Sequence, residues 1–493
     1  MLFTSPLYLF LFLPLSVLVY FALNKLDDRR IGKAWLVLAS LYFYGYWNPA
    51  YLLLIIGSML ANFSLGYALH RVKQVNGRNT SGRKPVLIAG IVLNIGILGY
   101  YKYSDFLINN TNTLLGTNLP MLDLILPLAI SFFTFQQIAY LVDCYQEDTQ
   151  EYDLLSYCLF VVFFPQLIAG PIVHHKEMMP QFLRRENTAP NYNHIAQGVL
   201  IFAIGLFKKV VIADSFAVWA DAGFSNTEGL DFFSAWRTSL SYTLQLYYDF
   251  SGYSDMAIGA ALLFNIRLPT NFNSPYKALN IQDFWRRWHM TLSRWLRDYL
   301  YIPLGGNRRG SVRVYVNLMA TFVLGGLWHG AGWTFIFWGF LHGAALCIHR
   351  LWKNLNIRLP NGLALIITFL FVNTAWVFFR AEDMTAAFNL LQGMLGLNPS
   401  NNDGHYQDVL AYLNGSEQSW TLPAAMDALL NIKIELCIIA FAGVAFFAPN
   451  SLEIGLTKQH FTLRHSVFVS CSLMLALVLG IATRSPTFLY FNF

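Results

Sequence analysis

The feature that most constrains this chain is a series of long apolar runs that contain no Asp, Glu, Lys or Arg. Four of them follow one another near the N-terminus, at residues 7–23, 34–47, 51–69 and 86–101. About 20 apolar residues span a bilayer as a helix, and shorter runs are accommodated by local thinning or flanking side chains. The runs lack the alternation of a transmembrane barrel strand, and a helix satisfies its own backbone hydrogen bonds in lipid. We therefore predict an all-α, polytopic integral membrane protein with roughly 10–13 transmembrane or re-entrant helices.

The overall composition excludes a soluble globular protein of this size. Of the 493 residues, 56% are hydrophobic and 12% are charged, whereas an average soluble domain has about 25% charged residues. The net charge of +6 is explained by the basic inner loops of membrane proteins, so we expect contact with membrane lipid and not with nucleic acid. The five cysteines form no CxxC pair, and no ligand spacing of a metal site occurs, so no metal is predicted.

Basic clusters indicate which loops face the cytoplasm. Lys and Arg are concentrated at 25–33 and 71–84, which we place inside, and are absent from the polar segment 104–120, which we place outside as a loop. The N-terminus is then outside. In the last third, the basic segment 350–358 is predicted inside and the polar loop 398–420 outside, and the same alternation puts the C-terminus outside.

The middle of the chain differs from both ends because Pro, Gly and charged residues interrupt its apolar runs. Non-helical backbone at membrane depth is tolerated only inside protein or beside a water-filled cavity. We therefore predict one membrane domain over 1–493, with N-terminal helices at 1–150, a catalytic core with re-entrant segments at 150–345 and C-terminal helices at 346–493. No internal repeat is visible, which argues against many secondary transporter folds.

His329 lies in an apolar stretch, within the sequence LGGLWHGAGW at 324–333. An ionisable side chain in a spanning segment indicates a function, and the glycines on both sides leave room for a substrate or another helix. Burial favours the neutral imidazole, which can remove a proton from a hydroxyl group. We predict that His329 is a general base; the alternative is a structural histidine that is hydrogen-bonded to a neighbouring helix.

The segment 281–299, IQDFWRRWHMTLSRWLRDY, has Trp and Leu on one helical face and Arg on the other. This pattern predicts an amphipathic helix at the cytoplasmic boundary, with His289 on its rim. Arginine suits phosphate recognition, so the functional interpretation is a cytoplasmic mouth for a phosphorylated donor. Its candidate residues are Arg286, Arg287, Arg294, Arg297, Trp285 and Trp288. The alternative is an interfacial helix on anionic lipid, in which His289 has no chemical role.

Two further motifs place polar residues in apolar surroundings. Asp249 and Asp255, in YYDFSGYSD at 247–255, orient a base, bind an acceptor or pair with buried cations such as Arg267, and we favour pairing. Gln166, in PQLIAGP at 165–171, belongs to a broken helix that can line a cavity. The chain has neither an HExxH zinc motif nor a GxSxG nucleophile motif.

Taken in order, four motifs resemble the membrane-bound O-acyltransferase family: FPQLIAGP at 164–171, DFSGYSD at 249–255, FWRRWH at 284–289 and WHG at 328–330. The resemblance is strongest to the bacterial branch of alginate O-acetylation and teichoic acid D-alanylation. It implies a ring of helices around a central tunnel, with catalytic histidines at His329 and His289. We assign Asp249, Gln166 and Trp328 as candidates for lining this tunnel or orienting the reacting groups.

The resemblance also implies a reaction. The donor would be acetyl-CoA or another cytoplasmic acyl thioester, with no permanently bound cofactor. The acceptor would be hydroxyl groups of an extracytoplasmic polysaccharide, an alginate-like one first, reached directly or through a periplasmic acetyltransferase partner. The protein would lie in the bacterial inner membrane with both termini periplasmic. The alternatives are a lipid, peptidoglycan or teichoic acid acceptor, and a transporter that uses His329 and Asp249 as a proton relay.

Overall fold

The N-terminal apolar runs form helices, as predicted. The computed structural model describes all residues except 27, 29, 77–81, 147–152, 399–433, 458–461 and 483–493, so most of the predicted outer loop 398–420 lies outside the described residues. A π-helical turn at Tyr8–Phe12 leads into the first α-helix. The first five α-helices are α1 (Leu13–Leu23), α2 (Arg30–Gly45), α3 (Ala50–Asn76), α4 (Arg83–Leu115) and α5 (Ile130–Tyr145).

Helix α4 corrects the predicted outer loop at 104–120. The helix continues to Leu115, and the connection that follows it is non-helical only from Gly116 onwards. With 33 residues, α4 is about 50 Å long, which exceeds the ~30 Å hydrocarbon thickness of a bilayer. The helix is therefore long enough for its polar last turns to reach beyond the hydrocarbon, and polarity alone was misread as the end of the helix.

The middle of the chain mixes short helices with longer ones, the longest of 31 residues, and turns and extended segments separate them. It contains 3-10 turns at Arg185–Thr188 and Pro275–Lys277 and π-helical turns at Lys208–Ala213 and Arg297–Tyr301. Its α-helices are α6 (Leu154–Val162), α7 (Phe164–Leu167), α8 (His175–Leu183), α9 (Tyr192–Phe207), α10 (Asp214–Ser225), α11 (Phe232–Leu262), α12 (Ile281–Arg287), α13 (Met290–Leu296) and α14 (Ser311–His329).

The C-terminal part is again built of longer apolar helices. They are α15 (Trp333–Asn354), α16 (Asn361–Arg380), α17 (Met384–Met394), α18 (Ile434–Phe447), α19 (Ser451–Thr457) and α20 (Leu463–Ala482). Six helices of the described chain are long and apolar enough to cross a membrane, and three shorter apolar helices accompany them. The described residues contain no strand, so the prediction of an all-α, polytopic membrane protein is confirmed.

Helix α11 is the centre of the fold and is buried over most of its length. It crosses α9 closely because two glycines of each helix meet. A Cβ atom on Gly205 would lie 2.6 Å from the carbonyl oxygen of Gly252, and one on Gly198 would lie 2.7 Å from that of Gly259. Small residues that let two backbones approach are typical of helix packing in membranes. This crossing supports the segment 263–280, which carries part of the site described next.

Candidate active site

His329 is the last residue of α14 and is 4% exposed. Three aromatic rings surround its imidazole, with centroid distances of 4.9 Å to Trp328, 5.1 Å to Trp338 and 5.2 Å to Phe379. The side chain therefore points into the protein and away from lipid. An imidazole enclosed in this way is held in a low-dielectric surrounding, where its neutral form is favoured.

The glycines around His329 bring α14 and α15 together. A Cβ atom on Gly330 would overlap the ring of Phe335, and one on Gly326 would overlap the carbonyl oxygen of the same residue. A Cβ atom on Gly339 of α15 would in turn overlap the carbonyl oxygen of Phe322 on α14. These three glycines thus serve helix packing. For Gly326 and Gly330, the sequence had left open whether they make room for a substrate or for a helix.

His289 lies at a break between two short helices, which corrects the prediction of one continuous amphipathic helix. Helix α12 ends at Arg287 and α13 begins at Met290, and His289 between them has φ 41° and ψ 53°. This left-handed conformation costs a non-glycine residue about 1–2 kcal/mol. The break turns the imidazole inward, so that His289 is fully buried and not on the rim of a surface helix.

A chain of hydrogen bonds fixes the orientation of the His289 ring. The backbone N–H of Ile172 donates to Thr291 Oγ1 (3.0 Å), and Thr291 Oγ1 donates to Asn271 Oδ1 (2.9 Å). His289 Nδ1 lies 3.0 Å from the same Asn271 oxygen. Because this oxygen accepts, Nδ1 carries the proton, and Nε2 is the unprotonated nitrogen of the neutral ring. Nε2 is buried and has no hydrogen-bond partner among the described residues.

Stacked aromatic rings connect the segments that carry the two histidines. Phe135 of α5 stacks on Trp295 of α13 at 3.7 Å, and its ring lies 4.9 Å from that of Trp328 on α14. The Trp328 ring lies 4.9 Å from His329 and 6.5 Å from His289. Trp328, which we assigned to the tunnel from the sequence, therefore contacts both imidazoles.

Another buried histidine close to these two, His342 of α15, was not found from the sequence. Its Nδ1 accepts a hydrogen bond from the indole N–H of Trp285 (3.3 Å), and its ring lies 4.8 Å from Trp338. Trp338 in turn contacts His329. The spacing of Trp338 and His342, four residues apart on one helix, was the available signal. His289, His329 and His342, together with the rings of Trp328, Trp338 and Phe379, are called the histidine cluster below.

Next to the histidine cluster lies a cavity of about 650 Å³, which we call the basic cavity. Its wall includes Met290 and Thr291, which directly follow His289, and Trp285, which bonds to His342. Neither His289 nor His329 lines it. Its basic lining residues are Arg286, Arg294, Arg297, His349, Arg350 and Lys353. A cavity of this volume is within the usual range for ligand sites.

The predicted donor-binding residues divide into two groups. Arg286, Arg294, Arg297 and Trp285 line the basic cavity. Arg287 and Trp288 do not belong to its lining: Arg287 binds Asp283 at 3.0 Å, and Trp288 is buried among other rings.

Two of the cavity arginines are already paired with carboxylates. Arg294 binds Glu177 through two hydrogen bonds, and Arg297 binds Asp298. Arg350 and Lys353 of α15 add charge that we did not assign to the donor site from the sequence. Their signal was a basic pair three residues apart at the predicted inner end of a helix.

The remaining candidates lie elsewhere in the core. Asp249 pairs with Lys209 at 2.7 Å, and Asp255 with Lys208 at the same distance. The cation beside Asp249 is thus Lys209 and not Arg267, whose guanidinium contacts His194. Gln166 is buried in the one-turn helix α7, and its amide donates to the carbonyl of Phe160 at 2.7 Å. Within the described part of the chain, no group of three or more potential ligands could hold a metal ion.

Comparison with known proteins identifies the family to which this site belongs. The model of the membrane-bound O-acyltransferase family matches residues 130–381, just over half of the chain and including both histidines. The chain belongs to this family. The resemblance that the four motifs predicted is therefore confirmed, and so is the prediction that the protein is an acyltransferase.

Several relatives of this membrane-bound O-acyltransferase are named for peptidoglycan, alginate or teichoic acid. A Helicobacter pylori protein named peptidoglycan O-acetyltransferase is 46% identical over 100% of this chain and 98% of its own length. A Pseudomonas aeruginosa protein named probable alginate O-acetylase AlgI is 41% identical over 91% of this chain and 81% of its own length. A Streptococcus thermophilus protein named teichoic acid D-alanyltransferase is 28% identical over 46% of this chain and 57% of its own length.

Proposed function

We propose that this acyltransferase moves an acetyl group from a cytoplasmic thioester to hydroxyl groups of a glycan on the opposite side of the membrane. The observation that carries the proposal is a pair of buried imidazoles beside a cavity whose wall includes arginine and lysine. His289 directly precedes the lining residue Met290, and His329 is connected to the lining residue Trp285 through the ring of Trp338. Helix α14 has 19 residues and is therefore about 28 Å long. It begins after the basic turn at Arg308 and Arg309, so His329 at its far end lies towards the outer side.

The charge of the basic cavity supports a phosphate-bearing donor such as acetyl-CoA. Because Glu177 and Asp298 offset Arg294 and Arg297, Arg286, Arg350 and Lys353 carry the cation charge that remains for a ligand. Guanidinium groups bind phosphate through paired hydrogen bonds. In the proposed complex the phosphates lie among these residues and the thioester extends past Trp285 towards the histidine cluster.

In the proposed chemistry, His329 acts as the general base. It removes the proton from the acceptor hydroxyl, and the oxygen forms a bond to the thioester carbonyl carbon. The carbon–sulfur bond then breaks, and the proton passes from the imidazolium to the leaving thiolate. No charged group has to enter from water for either step, which suits a site enclosed by aromatic rings.

His289 is proposed to orient a reactant. With its Nδ1 proton directed at Asn271, a neutral His289 offers only the lone pair of Nε2. It can therefore accept a hydrogen bond from an N–H group of the donor arm or from the acceptor hydroxyl. It cannot, in that form, donate to the thioester carbonyl.

For the acceptor, identity to the relatives favours peptidoglycan over alginate. The relative named for peptidoglycan is 46% identical over the whole chain, and the one named for alginate is 41% identical over 91% of it. Both polymers are extracytoplasmic glycans with free hydroxyl groups. Basic loops at the predicted inner ends of the helices support an inner-membrane location with periplasmic termini, and a periplasmic partner protein is part of the proposal.

The test is to replace His329 by Ala in the organism's own chromosome and to measure base-labile acetyl groups. Peptidoglycan sacculi and secreted polysaccharide are analysed separately. Since general base catalysis typically contributes about 100- to 10,000-fold, we expect acetylation of one of the two polymers to fall to the level of a deletion strain, with normal amounts of protein in the membrane.

A matched control is His194→Gln, which changes a histidine outside the histidine cluster and is expected to leave acetylation unchanged. Wild-type acetylation in the His329→Ala strain would refute the role of His329. Normal acetylation of both polymers in the deletion strain would refute the acceptor class.

A further inference from the structure

The carbonyl end of α14, which carries His329, is bound by side chains of a different helix. The last carbonyl groups of any helix have no partner within that helix. In α14 these include the carbonyls of Leu327, Trp328 and His329, directly on the backbone that positions the imidazole. The partners of these groups therefore determine how firmly the catalytic side chain is held.

Two adjacent residues of α4 supply these partners. Tyr103 donates its hydroxyl hydrogen to the carbonyl of Leu327 at 2.8 Å. Lys102 Nζ donates to the carbonyl of Trp328 at 2.5 Å and to that of His329 at 3.1 Å. All three carbonyls are thus bound from a helix that is more than 220 positions away in the sequence.

Each of the three N–H groups of Lys102 has an oxygen partner in this position. Its third N–H group lies 3.4 Å from Ser131 Oγ, and the nitrogen is 5.9 Å from the centre of the Trp328 ring. A cation at the C-terminal end of a helix is also stabilised by the helix dipole. A charge removed from water in this way is costly unless each of its donors is bound, and here each one is bound at or beside the turn that carries His329.

The same face of α4 also holds the start of the next helix. Asn110 accepts a hydrogen bond from the indole N–H of Trp333 at 3.0 Å, and Phe106 packs on the same indole at 5.9 Å. Lys102, Phe106 and Asn110 are spaced by four residues and share one face of the helix. Helix α4 therefore contacts the turn between α14 and α15 on both sides of His329.

We propose that Lys102 is a positioning residue that holds His329 in its reactive orientation, with Tyr103 in a smaller role. The inference rests on the proposed function of His329. Helix α4 lies outside the residues matched by the family model, which begin at 130, so the site of this enzyme includes a part of the chain beyond that match. Displacing a reacting group by about 1 Å can cost roughly 100-fold in rate, which is the scale on which such a positioning residue acts.

The test compares Lys102→Met, Lys102→Arg and Tyr103→Phe in full-length enzyme reconstituted in nanodiscs. Acceptor-dependent release of thiol from acetyl-CoA is measured to obtain kcat and KM, and thermal unfolding is followed in parallel. We expect Lys102→Met to lower kcat by about 10- to 100-fold with KM for acetyl-CoA and the unfolding temperature little changed. Lys102→Arg, which keeps the cation, should restore most of kcat, and Tyr103→Phe should lower it by about fivefold.

Lys277→Met is the matched control, because Lys277 Nζ binds the carbonyl of Ala448 after α18 in the same manner, at 2.8 Å, but no histidine of the site follows there. Wild-type kcat in Lys102→Met would overturn the inference. It would also be overturned if Lys102→Met lost activity only in proportion to a loss of folded protein. Failure of the proposed function is recognised separately, because His329→Ala would then retain its thiol release.

Discussion

The basic cavity and the histidine cluster lie side by side but are built in opposite ways. Arginine and lysine side chains supply the charge of the cavity, and some of them, such as Arg286 and Arg350, are exposed. The histidine cluster consists of buried rings whose atoms are held by specific partners, such as Asn271 for His289. Flexible charges suit the binding of a donor, whereas fixed imidazoles suit chemistry that depends on orientation. Trp285, which lines the cavity and bonds to His342, forms the boundary between the two regions.

The largest effect is expected for His289→Ala, which tests whether the histidine cluster controls the chemical step. If His289 orients a reactant for the chemical step, we expect kcat to fall by about 100-fold, because the buried Nε2 acceptor is lost, while KM for acetyl-CoA changes little. Steady-state thiol release by the reconstituted enzyme measures both constants. A rise in KM at constant kcat would instead assign His289 to donor binding.

Asn271→Ala gives a smaller effect on the same region. The His289 ring would lose the acceptor that selects its tautomer and, with it, the link to Thr291. Hydrogen-bond partners that orient a functional imidazole typically contribute about 10- to 100-fold, as known from metal sites, so a loss of kcat in this range is expected. Asn271→Asp keeps an oxygen acceptor and should retain more activity than Asn271→Ala; equal activity of the two variants would contradict the tautomer argument.

Substitutions in the basic cavity should change KM for acetyl-CoA and not kcat. Arg286→Gln and Arg350→Gln each remove a cation that has no carboxylate partner in the described structure. We expect each substitution to raise KM for acetyl-CoA by about tenfold and to leave kcat nearly unchanged, because hydrogen bonds to charged groups contribute about 1.5–3 kcal/mol. The effect of added salt on KM should shrink in both variants. Arg184→Gln is the control, because Arg184 is exposed and lies outside the cavity, and it should not alter KM. A fall in kcat in the cavity variants would contradict the assignment of donor binding to the cavity and of the chemical step to the histidine cluster.

Much of the fold followed from the local sequence pattern, but the predictions for 281–299 and for 104–120 were wrong. Runs of apolar residues predicted the helices at both ends, because partition into lipid depends on each segment by itself. Helical periodicity suggested one helix over 281–299, but the chain breaks at His289, where Asn271, 18 positions earlier, holds the imidazole inward. The polar end of α4 was taken for a loop, although a helix that leaves the bilayer remains helical.

The sequence by itself determined that this protein is an all-α membrane enzyme of a particular acyltransferase family, and it identified the two histidines through short motifs. The tertiary structure alone decided what holds those histidines: Asn271 for His289, and Lys102 and Tyr103 of α4 for the end of α14. The physical reason is the range of the interactions. Hydrophobic partition acts on neighbouring residues and leaves a periodic trace in the sequence. A single hydrogen bond between separate segments leaves none, whether its residues are 18 positions apart, as Asn271 and His289 are, or more than 220, as Lys102 and Trp328 are.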